Sequence, residues 1–328
     1  MINLNLLPCK SPLWAQGGHL QTILGFALSS SQKETLSYEE EFITLPDGDQ
    51  LLMLINQGES NYIIYLFHGL TGDASASYME RMAKIFTELG HSVCRVNHRD
   101  CGGGAGLAIH PYHSGRGEDI SEVMQWGRKK YPTKYHIAIG FSLSGNALLT
   151  LITGMRGNVF PDYAISVNAP INLSASIEKL QRGINKIYDF HFVNRLKATV
   201  NAKYQRNNST QQLVLPRLST LGDFDDIYTA PASGFKNAQH YYQTCSTYSH
   251  LKNIKTPTIL LTSQDDPFVP YEIYKKVQLS SSTQLHIEKT GGHMGYLSRK
   301  KTPLGNHRWL DYALLKCVQA FIKHSLEV

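Results

Sequence analysis

The run Tyr62-Ile63-Ile64-Tyr65-Leu66-Phe67 constrains this chain more than any other stretch. Six successive apolar or aromatic side chains leave a strand no face to offer water. Both faces must then be covered, as in a parallel sheet with helices on either side. Helical spacing follows at Tyr78, Met79, Met82, Ile85, Phe86 and Leu89, and Gly90 ends it. Ser92 to Asn97 reads as a strand, Gly115 to Lys130 as a helix, and Lys134 to Ile139 and Tyr163 to Asn168 as further strands. Strand and helix therefore alternate from 62 to 168, which calls for right-handed crossovers between parallel strands. Ahead of them, Tyr38 to Leu45 and Leu51 to Asn56 flank Pro46-Asp47-Gly48-Asp49, a hairpin signal.

Residues 172–250 break the rhythm. Their apolar residues are sparser, often aromatic, and set at helical spacing among basic and amide side chains (Ile184, Ile187, Tyr188, Phe190, Phe192, Val193, Leu196). This segment reads as an inserted helical cap. The sheet resumes at Thr258 to Thr262, followed by a helix at Tyr271 to Val277, a strand at Gln284 to Glu288 and a helix from Leu310 to Ile322. The expected organisation is an α/β core of residues 1–171 and 251–328, a mostly parallel doubly wound sheet, with the cap at 172–250 between its halves.

Bulk composition excludes several classes. The 42% hydrophobic and 18% charged content is ordinary for a globular chain, and a net charge of +6 is mild. Arg128-Lys129-Lys130 and Arg299-Lys300-Lys301 therefore read as solvated faces, with no nucleic-acid partner expected. Five scattered cysteines without a C-x-x-C pair imply free thiols and no structural zinc. Met1 to Leu28 lacks the marks of a signal peptide. Its longest apolar piece, Ile23 to Leu28, falls far short of the ~20 residues a membrane span needs. The expected location is the cytoplasm, with peripheral membrane contact compatible with the charge.

The chemistry centres on Gly140-Phe141-Ser142-Leu143-Ser144, which joins a buried strand to a helical run with almost no loop. A serine at such a corner is pushed out above the sheet edge, and the crowded turn demands small neighbours, hence the pattern G-x-S-x-G. Here the second glycine is Ser144. The pentapeptide alone is weak, and Ser142 becomes a nucleophile only if a base and an orienting acid exist. Both belong just past strand carboxyl ends. Of 14 histidines, only His293 sits in a glycine-flanked loop after the last strand, in Gly291-Gly292-His293-Met294-Gly295. Asp265-Asp266-Pro267 follows the strand before it. Proline biases its predecessor toward extended backbone, which favours Asp266 as the acid and leaves Asp265 as the alternative, a turn-capping carboxylate. An oxyanion hole requires two amides: Leu143, next to the nucleophile, and Leu70 in His68-Gly69-Leu70 after an early strand.

These stretches, with His19-Leu20-Gln21-Thr22, Asn97-His98-Arg99-Asp100-Cys101-Gly102, Tyr112-His113-Ser114-Gly115, Phe224-Asp225-Asp226 and Tyr241-Tyr242, resemble the α/β-hydrolase superfamily nearly end to end. Within it they resemble the YheT-like esterase family (AB hydrolase superfamily, AB4 branch), which includes relatives acting on lipids. The resemblance implies the α/β-hydrolase fold and a carboxylic-ester hydrolase with the chain order Ser142, Asp266, His293. Relatives place the acid two residues before an apolar position, here Phe268, again Asp266. Two departures stand out: Ser144 where the family has glycine, and Gly17-Gly18 where it has Asn-Pro. Serine is small enough for the turn, so activity is expected to survive.

Other features are weaker. Gly102 to Gly106 lacks a phosphate-loop pattern, and His98, His110 and His113 lack metal-ligand spacing. No cofactor or metal is expected. Tyr188, Phe190 and Phe192 are candidates for lining the site. The expected substrate is a small-molecule or lipid ester, with short-to-medium acyl chains favoured. The same residues would serve a thioesterase or acyltransferase, and a non-catalytic binding protein on the same fold is the rival of a different kind.

Overall fold

The computed structural model describes residues 4–28, 36–206 and 212–327. Residues 1–3, 29–35, 207–211 and 328, which the expected domain ranges span, lie outside the described residues. Eight strands form one sheet: β1 (Glu39–Thr44), β2 (Gln50–Asn56), β3 (Tyr62–Phe67), β4 (Ser92–Val96), β5 (Tyr135–Phe141), β6 (Tyr163–Val167), β7 (Thr258–Ser263) and β8 (Thr283–Glu288). They run in the order β1-β2-β4-β3-β5-β6-β7-β8. The β1–β2 hairpin is antiparallel and β2 meets β4 antiparallel; every later pairing is parallel. This is the α/β-hydrolase sheet.

Alternation along β3 explains why its sequence is apolar throughout. Ile63, Tyr65 and Phe67 pack on one side with Val123, Leu148 and Leu151, while Ile64 and Leu66 pack on the other with Met79, Phe86 and Phe321. The flanking helices are α1 (Gly18–Ala27), α2 (Ser77–Glu88), α3 (Gly117–Lys130) and α4 (Leu143–Ile152). Then come α5 (Leu173–Leu180), α6 (Lys186–Arg206), α7 (Ala238–Cys245) and the closing α8 (Trp309–Glu327). The helix expected at 271–277 is only five residues, Glu272–Lys276, because Val277 already has extended backbone.

Between β6 and β7 the described residues hold helices and turns but no strand. Sequence reading leaves α1 unassigned, since its apolar residues face outward. Leu20, Ile23 and Phe26 are exposed, while the polar Gln21 is fully buried. No helix among the described residues is long and apolar enough to cross a membrane.

Candidate active site

Ser142 stands between β5 and α4 with no loop residue on either side. Its backbone is held at φ 51°, ψ −116°, a conformation that costs on the order of 1–3 kcal/mol and persists only when the surroundings enforce it. The enforcement is visible. The Ser142 N–H donates to the Val167 carbonyl of β6 at 2.8 Å, and Gly145 N–H donates back to the Ser142 carbonyl at 2.9 Å. The turn is also too tight for larger neighbours. A Cβ on Gly140 would lie 2.5 Å from the Ser144 carbonyl oxygen, and one on Gly145 would lie 2.9 Å from both Ala169 Cβ and Ser166 Oγ.

The structure brings two of the predicted partners to this serine. His293 Nε2 lies 2.8 Å from Ser142 Oγ, and His293 Nδ1 lies 2.8 Å from Asp266 Oδ2. Asp266 is buried and surrounded by donors. Its Oδ1 accepts from the Phe268 and Val269 amides at 2.8 and 3.0 Å, and its Oδ2 also accepts from Asn168 Nδ2 at 2.6 Å. These bonds fix the orientation of the carboxyl group and leave Oδ2 facing the imidazole. Asp265 points elsewhere. Its Oδ1 accepts from the Gly292 N–H at 2.8 Å, so it braces the loop that carries His293, and burial pushes its carboxyl above the ordinary range.

Several supports were invisible to residue-level reading. The His293 N–H donates to Thr22 Oγ1 at 2.8 Å, and Gln21 exchanges hydrogen bonds with Leu297 at both its amide ends. Helix α1 thus braces the histidine loop. Gly18 makes this close approach feasible, since a Cβ there would overlap the Asp265 carbonyl. The only signal was the quartet His19-Leu20-Gln21-Thr22, polar residues inside an apolar segment. Tyr296 Oη donates to Asn168 Oδ1 at 2.8 Å, which fixes the amide orientation that presents Nδ2 to Asp266. Nothing in the sequence flagged that pair.

Leu143 is the first residue of α4, where helical N–H groups lack intrahelical partners. Leu70 follows Gly69, whose Cβ position lies 3.1 Å from Ser142 Cβ. Neither amide finds an acceptor among the described residues. Both leucines line a cavity of about 310 Å³, walled by β-end loops below and by α5 and α6 above. Its apolar wall includes Ile177, Phe192, Leu196 and Phe268. Of the three aromatic candidates, Phe192 lines it, Tyr188 stacks on His19 and meets Phe268 edge-on, and Phe190 is exposed.

The three loop histidines scatter. His98 is buried beneath the serine turn, His113 packs on Phe235 and Tyr241, and His110 joins Asp47 and Asp49. The last group has ligand-like spacing, but the Arg99 guanidinium already bonds both carboxylates at 2.7 and 2.5 Å. Gly102–Gly104 form a single tight turn packed on Asn97 and Asp73.

Comparison with known proteins shows the family. No protein-family model matches the chain. YheT of Escherichia coli K12, provisionally named an esterase, is 30% identical over 302 residues, covering 89% of this chain and 87% of its own. The chain belongs to the YheT-like esterase family of α/β-hydrolases. Human phospholipase ABHD3 is 26% identical over 339 residues, covering 96% of this chain and 80% of its own. A Saccharomyces cerevisiae monoacylglycerol lipase is 27% identical over 287 residues, with 84% of this chain matched to 62% of that protein. Among solved structures, 2,6-dihydroxy-pseudo-oxynicotine hydrolase superposes with a TM-score of 0.56 at 15% identity, covering 91% of this chain and 70% of that one. The Pyrococcus furiosus esterase Pf2001 gives 0.53 at 17% identity, covering 79% and 84%. These two show the fold. Membership of the YheT-like family makes the chain a hydrolase of an esterase and lipase group.

Proposed function

We propose that this YheT-like chain is a serine hydrolase of carboxylic esters. Ser142 attacks the ester carbonyl carbon while His293 Nε2 takes its proton, and Asp266 holds the Nδ1–H and stabilises the imidazolium. The tetrahedral oxyanion is received by the Leu70 and Leu143 amides. Collapse expels the alcohol, protonated by His293, and leaves an acyl-serine that water hydrolyses by the same steps in reverse roles. The side chains complete this cycle without a metal or organic cofactor.

The observation that carries the reading is the unbroken relay from Asp266 through His293 to Ser142, two contacts of 2.8 Å. Residues 172–250 act as the cap of a core formed by 1–171 and 251–328, and their apolar side chains supply the acyl wall. A cavity of about 310 Å³ lies at the small end of ligand sites, which supports short-to-medium acyl chains. The test is a series of p-nitrophenyl esters from acetate to palmitate. Wild type should hydrolyse them with a maximum at butyrate to octanoate, and Ser142→Ala should hydrolyse none above background. Faster turnover of acyl-thioesters than of matched esters would move the assignment to a thioesterase. Turnover of neither would leave a binding protein.

A further inference from the structure

Position 144 carries serine where the resembling family has glycine, and the structure gives that hydroxyl specific work. Ser144 is fully buried, and its Oγ bonds three groups: the His68 carbonyl oxygen, His98 Nε2 at 2.6 Å and the Tyr112 hydroxyl at 2.7 Å. A serine hydroxyl has one proton and two lone-pair positions. The carbonyl can only accept, so Ser144 donates to His68 O and receives from both Tyr112 and His98. Tyr112 also lies 3.3 Å from the His68 carbonyl, but the 2.7 Å contact takes its proton.

The assignment propagates. With its proton on Nε2, His98 leaves Nδ1 bare, and Nδ1 has no partner among the described residues. Burial holds His98 well below the ordinary imidazole value, so the ring is neutral. The His98 backbone N–H donates to His68 Nε2 at 3.1 Å, which places the His68 proton on Nδ1, where it donates to the Gly69 carbonyl at 2.9 Å. Gly72 N–H donates to the same carbonyl at 3.1 Å, and Gly69 N–H donates to the Tyr78 hydroxyl at 3.0 Å. Two successive peptides are therefore clamped. In a trans peptide the carbonyl and the following N–H point opposite ways, so holding the Gly69 oxygen aims the Leu70 N–H.

We propose that Ser144 is a positioning residue that ties the loop bearing the Leu70 amide to the helix that begins directly after Ser142. The hydroxyl does by hydrogen bonding what a glycine at this place cannot, because one end of the tie is the second residue of α4 and the other is the carbonyl at the end of β3. The inference rests on the reading of Leu70 as an oxyanion donor.

The experiment measures kcat and KM for a p-nitrophenyl ester, and the inhibition constant of an alkylboronic acid that forms an anionic tetrahedral adduct. It compares wild type, Ser144→Ala and Tyr112→Phe. Losing one oxyanion donor costs about 10²–10³ in rate, so a misaimed donor in Ser144→Ala should lower kcat by roughly 10–100-fold with KM within about twofold. Boronate affinity should fall in step with kcat. Tyr112→Phe removes one donor to Ser144 and should give a smaller loss of the same signature. If Ser144→Ala does not fold, the Tyr112→Phe result decides. A fall in kcat at constant KM supports the tie. Wild-type kcat and boronate affinity in every folded variant overturn it and leave the parent reading intact. If wild type itself hydrolyses no ester and binds no boronate, the parent reading is what fails.

Discussion

Two regions meet at the cavity and are built on different principles. The floor is made of loops after β3, β4, β5 and β7, with Leu70, Arg99, Leu143 and Phe268 among its residues. The reactive groups lie beside it, Ser142 next to Leu143 in the chain and the His293 ring 4.6 Å from that of Phe268, and are fixed by hydrogen bonds mostly between 2.6 and 3.1 Å. The roof, from α5 to α7, presents apolar side chains to the cavity and is tied to the core around it by polar contacts, among them Arg206 Nη2 to Asp100 at 2.9 Å, Asn185 Nδ2 to the Pro267 carbonyl at 2.7 Å and the Ser114 N–H to the Tyr241 hydroxyl at 2.9 Å. Arg195 Nη2 donates to the Thr71 carbonyl at 3.1 Å, Lys179 Nζ donates to the Asp266 carbonyl at 2.7 Å, and His19 lies 3.2 Å from the Tyr188 hydroxyl. The contrast teaches a division of labour. On the proposed mechanism, directional bonds hold the reacting groups, where displacement of an ångström costs orders of magnitude, and non-directional packing selects the acyl chain.

The sharpest way to break this comparison lies on the floor. Asp266→Asn should lower kcat/KM by about 10⁴, because the amide offers His293 the wrong partner for its Nδ1–H. Asp265→Asn should cost far less, about tenfold, through a loosened Gly292 loop. Steady-state kinetics on both variants checks this, and a reversal of the two would reassign the acid.

On the roof a different signature is expected. Phe192→Ala opens the apolar wall next to Phe268, with which Phe192 makes an edge contact at 5.8 Å between centroids. It should leave acetate hydrolysis nearly unchanged and raise the decanoate-to-acetate ratio of kcat/KM by about tenfold, the range expected for a few methylenes in an apolar pocket. An equal loss on every ester would mean that the roof also sets the chemistry.

How far the sequence carried differs between the same two regions. The sheet was legible because its central strands are apolar runs, its first hairpin is marked by the turn at Pro46 to Asp49, and the helices between the early parallel strands show helical spacing; β3 matches the Tyr62 to Phe67 reading residue for residue. The juxtaposition of Ser142, His293 and Asp266 was legible because each follows a strand at its carboxyl end, with Gly140 two residues before the first, Gly292 next to the second and Pro267 next to the third. Helix α1 was not, since it buries Gln21 and exposes Leu20, Ile23 and Phe26, the reverse of the pattern that marks a helix. The Tyr296–Asn168–Asp266 chain and the Ser144 cluster were hidden for another reason. Their members are separated by up to 128 residues in the chain, and no local rule links a buried donor to a distant acceptor.

A further expected effect concerns stability and leaves the chemistry aside. Asp225, buried beside the cavity and accepting from the Tyr242 hydroxyl at 2.7 Å, has its carboxyl pushed up to about 6 by burial. A carboxyl raised above its unfolded value binds its proton more tightly when folded. Its contribution is fully present below about pH 4 and lost as pH rises through about 6. Asp225→Asn keeps an acceptor for Tyr242 and removes that loss, so it should stabilise the fold at pH 8 by up to about 3 kcal/mol, with the gain vanishing near pH 4. Denaturant unfolding of both proteins across that range checks the sign; a gain that grows toward low pH would contradict it.

The central claim is that a hydroxyl at one strand–helix corner becomes covalently acylated. It is tested most directly by treating the protein with a fluorophosphonate at neutral pH and mapping the adduct by peptide mass spectrometry. The account predicts one stoichiometric phosphonyl group on Ser142, lost in both Ser142→Ala and His293→Ala. An adduct on a different serine, or none on a folded protein, would contradict it.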